Sequence, residues 1–218
     1  MKMYDMASRA AIHLVRETGM DQSKTDRVRF GLELLFGEII KWAILLVLAA
    51  LLGLLPETLI AMAGFSLFRL VSGGPHCEDY WRCLVFSMLI FLTSAVLGVL
   101  AGPYVTKSML TIAVIAGAVV MALMVLIWAP GEVSQRKIRQ GERGVFKGLS
   151  LVFLTLWAVV ITVFVVPYSV SLAIAGFLGT VVQTFTFTPP GYQAMDGFDI
   201  VLSKIIGERR YPNHAENA

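Results

Sequence analysis

Long apolar runs with short connections between them are the feature that most constrains the fold of this chain. They lie at 34–55, 58–71, 83–100, 109–129, 149–166 and 170–187. An apolar helix of about 20 residues pairs all its backbone groups internally and crosses the hydrocarbon layer. Hydrophobic residues make up 57% of the 218 residues and charged residues 15%, which is too apolar for a soluble domain. The sequence therefore predicts an all-α integral membrane protein with about six transmembrane helices.

The run at 58–71 decides the topology, because it is shorter than a usual span and follows a tight turn predicted at Pro56 and Glu57. With six crossings, the basic N-terminal region and the basic loop at 136–147 share one side of the membrane. With five, they lie on opposite sides. Since Lys and Arg concentrate on the cytosolic side, we predict six spans with both ends in the cytosol.

The chain is predicted to have three parts. Residues 1–30 form an amphipathic cytosolic or interfacial segment, 31–188 the six-helix transmembrane domain, and 189–218 a cytosolic tail. The apolar face of the first part consists of Met3, Met6, Ala7, Ala10 and Leu14. The apolar face of the tail consists of Met195, Phe198, Leu202 and Ile205. The polar first part also argues against a cleavable signal peptide.

Composition argues against two classes of protein. The net charge is only +3 and the aromatic residues lie within apolar runs, so no nucleic-acid binding is expected. Two cysteines, Cys77 and Cys83, are too few for a disulfide framework. Their predicted cytosolic side also keeps thiols reduced.

A polar segment between two spans, Arg69 to Cys83, reads RLVSGGPHCEDYWRC. Gly73, Gly74 and Pro75 disfavour a continuous helix, so the chain is predicted to bend just before His76. On one unbroken helix His76 and Cys83 would be about 10 Å apart along the axis. The bend allows His76 to fold back over the first turn of a helix that begins near Asp79 or Tyr80.

This arrangement suggests a catalytic dyad, in which Cys83 is the nucleophile and His76 the base. Backbone amides near Gly73 and Gly74 are candidate oxyanion donors. The alternative is a loop whose histidine and cysteine only pack. Cys77 competes for the nucleophile role, but the ring of His76 has poor geometry for its immediate neighbour. Glu78, Asp79 or a backbone carbonyl remain open as the group that orients His76.

A metal site is a further alternative, because His76, Cys77 and Cys83 with Glu78 or Asp79 make four ligands. Their spacing fits no common zinc motif, so chemistry without a metal or cofactor is expected.

Charged residues near the predicted site have two interpretations each. Arg69 lies near the end of the short span, where a structural pair with Glu38 is the default and support of the loop or capture of a substrate carboxylate is the alternative. Arg136 and Lys137 belong to a basic loop that either only sets topology or also attracts an acidic substrate tail.

Arg69, Gly73-Gly74, His76 and Cys83 resemble the active-site region of the AgrB family, the accessory gene regulator B membrane endopeptidases. The resemblance extends through the basic N-terminal region, the six apolar segments, Ala129-Pro130 and the Thr-rich stretch from Thr184 to Pro189. The chain departs from the family pattern at Cys77 and, in part, in the loop after Pro130.

The resemblance implies a quorum-sensing enzyme that cleaves an AgrD-like propeptide through a thioester on Cys83 and releases a cyclic thiolactone or lactone. It also implies a homodimer, with which close helix packing at Gly98 and Gly102 is compatible. The competing class is a small transporter or scaffold in which Glu38, Lys41 and Arg69 line a polar path.

Overall fold

The computed structural model describes residues 3–75, 80–131 and 140–206, and these residues are organised as helices with short connections. They form two compact units, Met1–Leu52 and Gly53–Ala218. The α-helices are α1 (Met3–Glu17), α2 (Thr25–Leu51), α3 (Leu55–Ser72), α4 (Tyr80–Ala101), α5 (Lys107–Trp128), α6 (Gln140–Val159), α7 (Val166–Tyr168), α8 (Val170–Thr186) and α9 (Pro189–Ile206). Two 3₁₀ turns (Gln22–Lys24 and Gly102–Tyr104) and a π-helical segment (Val160–Val165) complete them.

Five helical segments are long and apolar enough to span a membrane, and α8 with α9 makes a sixth candidate that bends by 90°. The five segments are Thr25–Leu51, Leu55–Ser72, Trp81–Tyr104, Lys107–Trp128 and Gly141–Tyr168. The large apolar side chains on their outer faces are exposed, as lipid contact requires. The predicted all-α membrane protein is therefore confirmed, while the membrane side of each end stays a prediction.

The short apolar run becomes a full-length helix because Leu55, Pro56 and Glu57 join it as the first turn of α3. The predicted turn at Pro56 and Glu57 is therefore wrong. Proline is tolerated in a first helical turn, where its missing N–H has no helical partner. The residues that connect α2 to α3 are Leu52, Gly53 and Leu54, and Gly53 has a φ of 68°, which suits glycine.

The first unit is a helical hairpin. Ala7, Ala11 and Val15 are buried at four-residue intervals on α1, which packs against α2. Their small side chains let the two helices approach closely. Within α2, Lys41 Nζ bonds Glu38 Oε1 at 2.6 Å and is itself largely buried.

In the second unit, α8 packs against α3, α4, α5 and α9. A Cβ placed on Gly64 would lie 2.8 Å from Gly176 O, so the backbones of α3 and α8 approach closely. Gly98 likewise meets Ser171 O, which a Cβ would approach to 2.6 Å, and Gly102 meets the side chain of Ser171. Both glycines therefore serve packing within one chain, and the homodimer stays a prediction.

An aromatic cluster closes one end of this bundle. Phe68 stacks on Phe153 with ring centroids 5.3 Å apart and meets Phe187 edge to face at 6.0 Å. Val125 and Ala129 at the end of α5 belong to the same buried core. The residues that follow α3, α5 and α8 are thereby brought together at one end.

Candidate active site

Two consecutive glycines end α3 and turn the chain toward His76. Gly73 is the C-cap with φ 69°, and Gly74 has φ 134°. Both values favour glycine. The Gly73 N–H donates to Arg69 O at 3.0 Å, which completes the last turn of α3. The predicted bend is confirmed, whereas the residues 76–79 that follow it lie outside the described part of the chain.

Gln183 of α8 binds this turn from inside the bundle. Its side chain is fully buried, and its Nε2 donates to Ser72 Oγ at 3.0 Å and to Gly73 O at 2.7 Å. Its Oε1 accepts from Thr186 Oγ1 at 3.3 Å and from Arg69 Nη1 at 3.4 Å. The amide thus uses both donors and both acceptor sites, so its burial is fully compensated.

Arg69 binds the two carbonyls that directly precede His76. Its Nη2 donates to Gly74 O at 3.3 Å and, in a short hydrogen bond, to Pro75 O. Its guanidinium carbon lies 5.6 Å from the centroid of the Phe65 ring, within cation–π range. These contacts fit the alternative in which Arg69 supports the loop.

Gly131, at the start of the basic loop, binds the turn that follows α3. Its N–H donates to Ser72 O at 2.8 Å, and it forms a parallel β-bridge with Gly73. A Cβ on Gly73 would lie 2.5 Å from Gly131 O, so only glycine allows this approach. The loop that holds His76 and the basic loop therefore start side by side. Arg136 and Lys137 fall in 132–139, outside the described residues.

Cys83 lies in the first turn of α4, where its thiol is half-buried. Its carbonyl accepts a hydrogen bond from Ser87 Oγ at 2.8 Å, within the helix. The N-terminal turn of a helix carries a partial positive charge. The described part of α4 begins at Tyr80, and the predicted start near Asp79 or Tyr80 borders residues that the structure does not describe. The distance from Cys83 to His76 is not defined by the described residues.

Glu38 lies in the first unit, on α2. Besides Lys41, it accepts a hydrogen bond from Trp42 Nε1 at 3.3 Å. Its default pairing with Arg69 would join residues of different units and stays a prediction.

Sequence reasoning missed Gln183, Gly131 and the ion pair between Arg82 and Asp199. Gln183 had a recognisable signal, because an amide in the middle of an apolar run needs buried partners. Gly131 follows the Ala129-Pro130 pair that the sequence comparison singled out, but its partner across the bundle is not encoded locally.

The fold and these contacts define a class: a multi-pass helical membrane protein with a buried polar cluster at one end of the bundle and a cysteine in the first turn of a helix. The family model for accessory gene regulator B, AgrB, matches residues 7–187. The chain therefore belongs to the AgrB family, which places it in Agr-type quorum sensing.

Two curated relatives agree with this assignment. An AgrB-like protein of Clostridium acetobutylicum is 27% identical over 163 residues, which cover 71% of this chain and 74% of the relative. Protein FsrB of Enterococcus faecalis is 28% identical over 137 residues, 61% of this chain and 53% of its own length. The chain thus matches about half the length of FsrB. No solved structure matches this chain.

Proposed function

We propose that this protein is a membrane cysteine endopeptidase that removes the C-terminal part of an AgrD-like propeptide and cyclises the remainder. Membership of the AgrB family supports the quorum-sensing role. The observation that carries the catalytic assignment is the hydrogen bonding of three successive carbonyls, Gly73 to Pro75, immediately before His76. A loop ordered in this way can hold a base at a fixed place, as proton transfer requires.

In the first step, His76 takes the proton of the Cys83 thiol, and Sγ attacks the scissile carbonyl carbon. The carbon–nitrogen bond breaks, His76 returns the proton to the leaving amine, and the N-terminal part of the propeptide stays on Cys83 as a thioester. In the second step, a thiol or hydroxyl of the same peptide attacks the thioester carbonyl. A ring closes and the Cys83 thiol is regenerated.

The surroundings of the site favour ring closure over hydrolysis. Ser72 and Gln183 are fully buried, and the aromatic cluster around Phe68 lies on the core side of them. Exclusion of water by the membrane and by this apolar core is proposed to give the internal nucleophile an advantage over water.

The amides of Gly73 and Gly74, the candidate oxyanion donors, are both used to hold the turn. The Gly73 N–H donates to Arg69 O at the end of α3. The parallel bridge between Gly73 and Gly131 pairs the Gly74 N–H with Gly131 O, so the proposed oxyanion donor is an amide beyond this turn.

The basic loop is proposed to attract an acidic propeptide tail, since Gly73 and Gly131 place its start beside the turn. Replacing Arg136, Lys137 and Arg139 by glutamine should raise KM several-fold at low salt and much less at high salt, because screening weakens long-range attraction. Kinetics that are unchanged at both salt concentrations would leave only a topological role for these charges.

The deciding experiment is co-expression in membranes with a candidate propeptide, a short amphipathic peptide with an acidic tail encoded beside the gene. Mass spectrometry would follow cleavage by wild type, Cys83→Ala, His76→Ala and Cys77→Ala. We expect cleavage to be lost in the first two variants and kept in Cys77→Ala, with a product one water lighter than the linear acid. Cleavage that survives Cys83→Ala would refute the mechanism. The alternative, a transporter or scaffold, predicts a function that alkylation of Cys83 does not change.

A further inference from the structure

Helix α9 folds back onto the start of α4. Arg82 Nη1 and Asp199 Oδ2 lie 2.5 Å apart, and the two side chains are only 12% and 19% exposed. One turn further along α4, Phe86 packs on Phe198 with ring centroids 5.3 Å apart. Arg82 and Phe86 are four residues apart and share one face of α4. An ion pair and an aromatic contact therefore fix α9 to that face.

Cys83 lies at the edge of the same face. A helix turns about 100° per residue, so Cys83 is about 100° from Arg82 and about 60° from Phe86 around the axis. Fraying or rotation of this first turn would break a largely buried ion pair, which is costly because each charge would lose its partner. The contacts with α9 thus restrain the turn that carries the thiol.

We propose that α9 positions the first turn of α4 and with it Cys83, with Asp199 as a positioning residue that acts on the thiol through Arg82. This inference rests on the proposed role of Cys83 as nucleophile. Asp199 Oδ1 is buried and accepts no hydrogen bond within the described part of the chain, which makes Arg82 the main compensation for its charge. Such a pair is sensitive to the loss of either partner.

The test uses the full chain in membranes, in a Cys77→Ser background, with two readouts: propeptide cleavage, and alkylation of Cys83 by N-ethylmaleimide. Asp199→Asn should lower kcat about tenfold with little change in KM, since a shifted nucleophile loses rate rather than binding. The same change should speed alkylation several-fold, because the half-buried thiol becomes more accessible.

Three further variants control this test. Asp199→Glu should restore most of the parent's kcat and most of its slow alkylation of Cys83. Asp196→Asn, on the exposed side of the same helix, should match the parent. The double variant Arg82→Gln with Asp199→Asn should be less impaired than either single variant, because no unpaired buried charge remains.

A lower kcat for cleavage together with faster alkylation of Cys83 identifies Asp199 as a positioning residue. Cleavage and alkylation that both stay unchanged in Asp199→Asn would overturn the inference, and so would a parallel fall in both. If Asp199→Asn fails to fold, the double variant decides by the same readouts. Cleavage that survives Cys83→Ala would instead refute the proposed function, while the alkylation readout would still report on the contact of α9 with α4.

Discussion

At the scale of single residues, the candidate site depends on two side chains, Gln183 and Arg69, that bind each other and the backbone of the turn after α3. Gln183 donates to Ser72 Oγ and Gly73 O, and Arg69 donates to Gly74 O and Pro75 O. A turn without regular structure exposes carbonyl groups that cost several kcal/mol each if left bare in an apolar bundle. These two side chains remove that cost and order the segment before His76 at the same time.

Gln183→Leu should therefore destabilise the protein by about 2 kcal/mol and lower cleavage at least tenfold, because Gly73 O and Arg69 lose a buried partner. Thermal unfolding of the protein in detergent and the cleavage assay would measure the two effects. Thr180→Val is the matched control: it removes a buried hydroxyl one turn away whose hydrogen bonds stay within α8. Equal behaviour of the two variants would contradict the role assigned to Gln183.

Gly73→Ala should cost about 1–3 kcal/mol, since alanine disfavours its φ of 69° and a Cβ would meet Gly131 O. Gly148→Ala, at an exposed helical position with open space, should instead stabilise α6 by up to about 1 kcal/mol. Unfolding temperatures of the two purified variants give the comparison. A neutral Gly73→Ala would mean that the close approach of the two loops is not required.

At the scale of elements, the corner between α8 and α9 decides where α9 lies. Thr188 Oγ1 donates to Phe185 O at 2.7 Å and accepts from the Gly191 N–H at 3.3 Å, which caps the first turn of α9. Met195 and Leu202 are buried, so the apolar face predicted for the tail is confirmed for these two residues. The 90° bend directs this face onto the rest of the second unit.

Gly191→Ala should disturb this corner, because a Cβ would overlap the backbone of Phe185. We expect a loss of about 1–3 kcal/mol and faster alkylation of Cys83 as α9 shifts. Gly197→Ala, in the same helix with no atom within 4 Å of its Cβ, should be stable and unchanged in alkylation. A Gly191→Ala variant that behaves like Gly197→Ala would show that the corner does not set the position of α9.

At the scale of the whole molecule, the membrane topology connects the fold to the substrate. Six crossings would put the loop at 76–79 and the basic loop in the cytosol, where a newly made propeptide is met. The bridge between Gly73 and Gly131 shows that both loops leave the bundle at one end. The opposite end carries Tyr104 and Tyr168, which are 85% and 83% exposed.

Single cysteines in a background without Cys77 and Cys83 test this topology. Tyr104→Cys and Tyr168→Cys should react with a membrane-impermeant maleimide on intact cells, whereas Ser134→Cys should react only after permeabilisation. The reverse pattern of labelling would mean that the protein has the opposite orientation in the membrane and that the proposed chemistry takes place outside the cell.

The helices and the bend before His76 follow from the local sequence pattern. The length of each apolar run, the two glycines and Pro75 influence the backbone conformation within one or two helical turns. Their effect is therefore visible in the local pattern. The start of α3 was misplaced because proline fits a first helical turn as well as a connection. The side chains that bind the turn, and the helix that restrains Cys83, became known from the packing of the helices. Gln183 and Gly73 are 110 residues apart, and Arg82 and Asp199 are 117 apart. No local pattern specifies such pairs, because they form only when packed helices bring distant segments together.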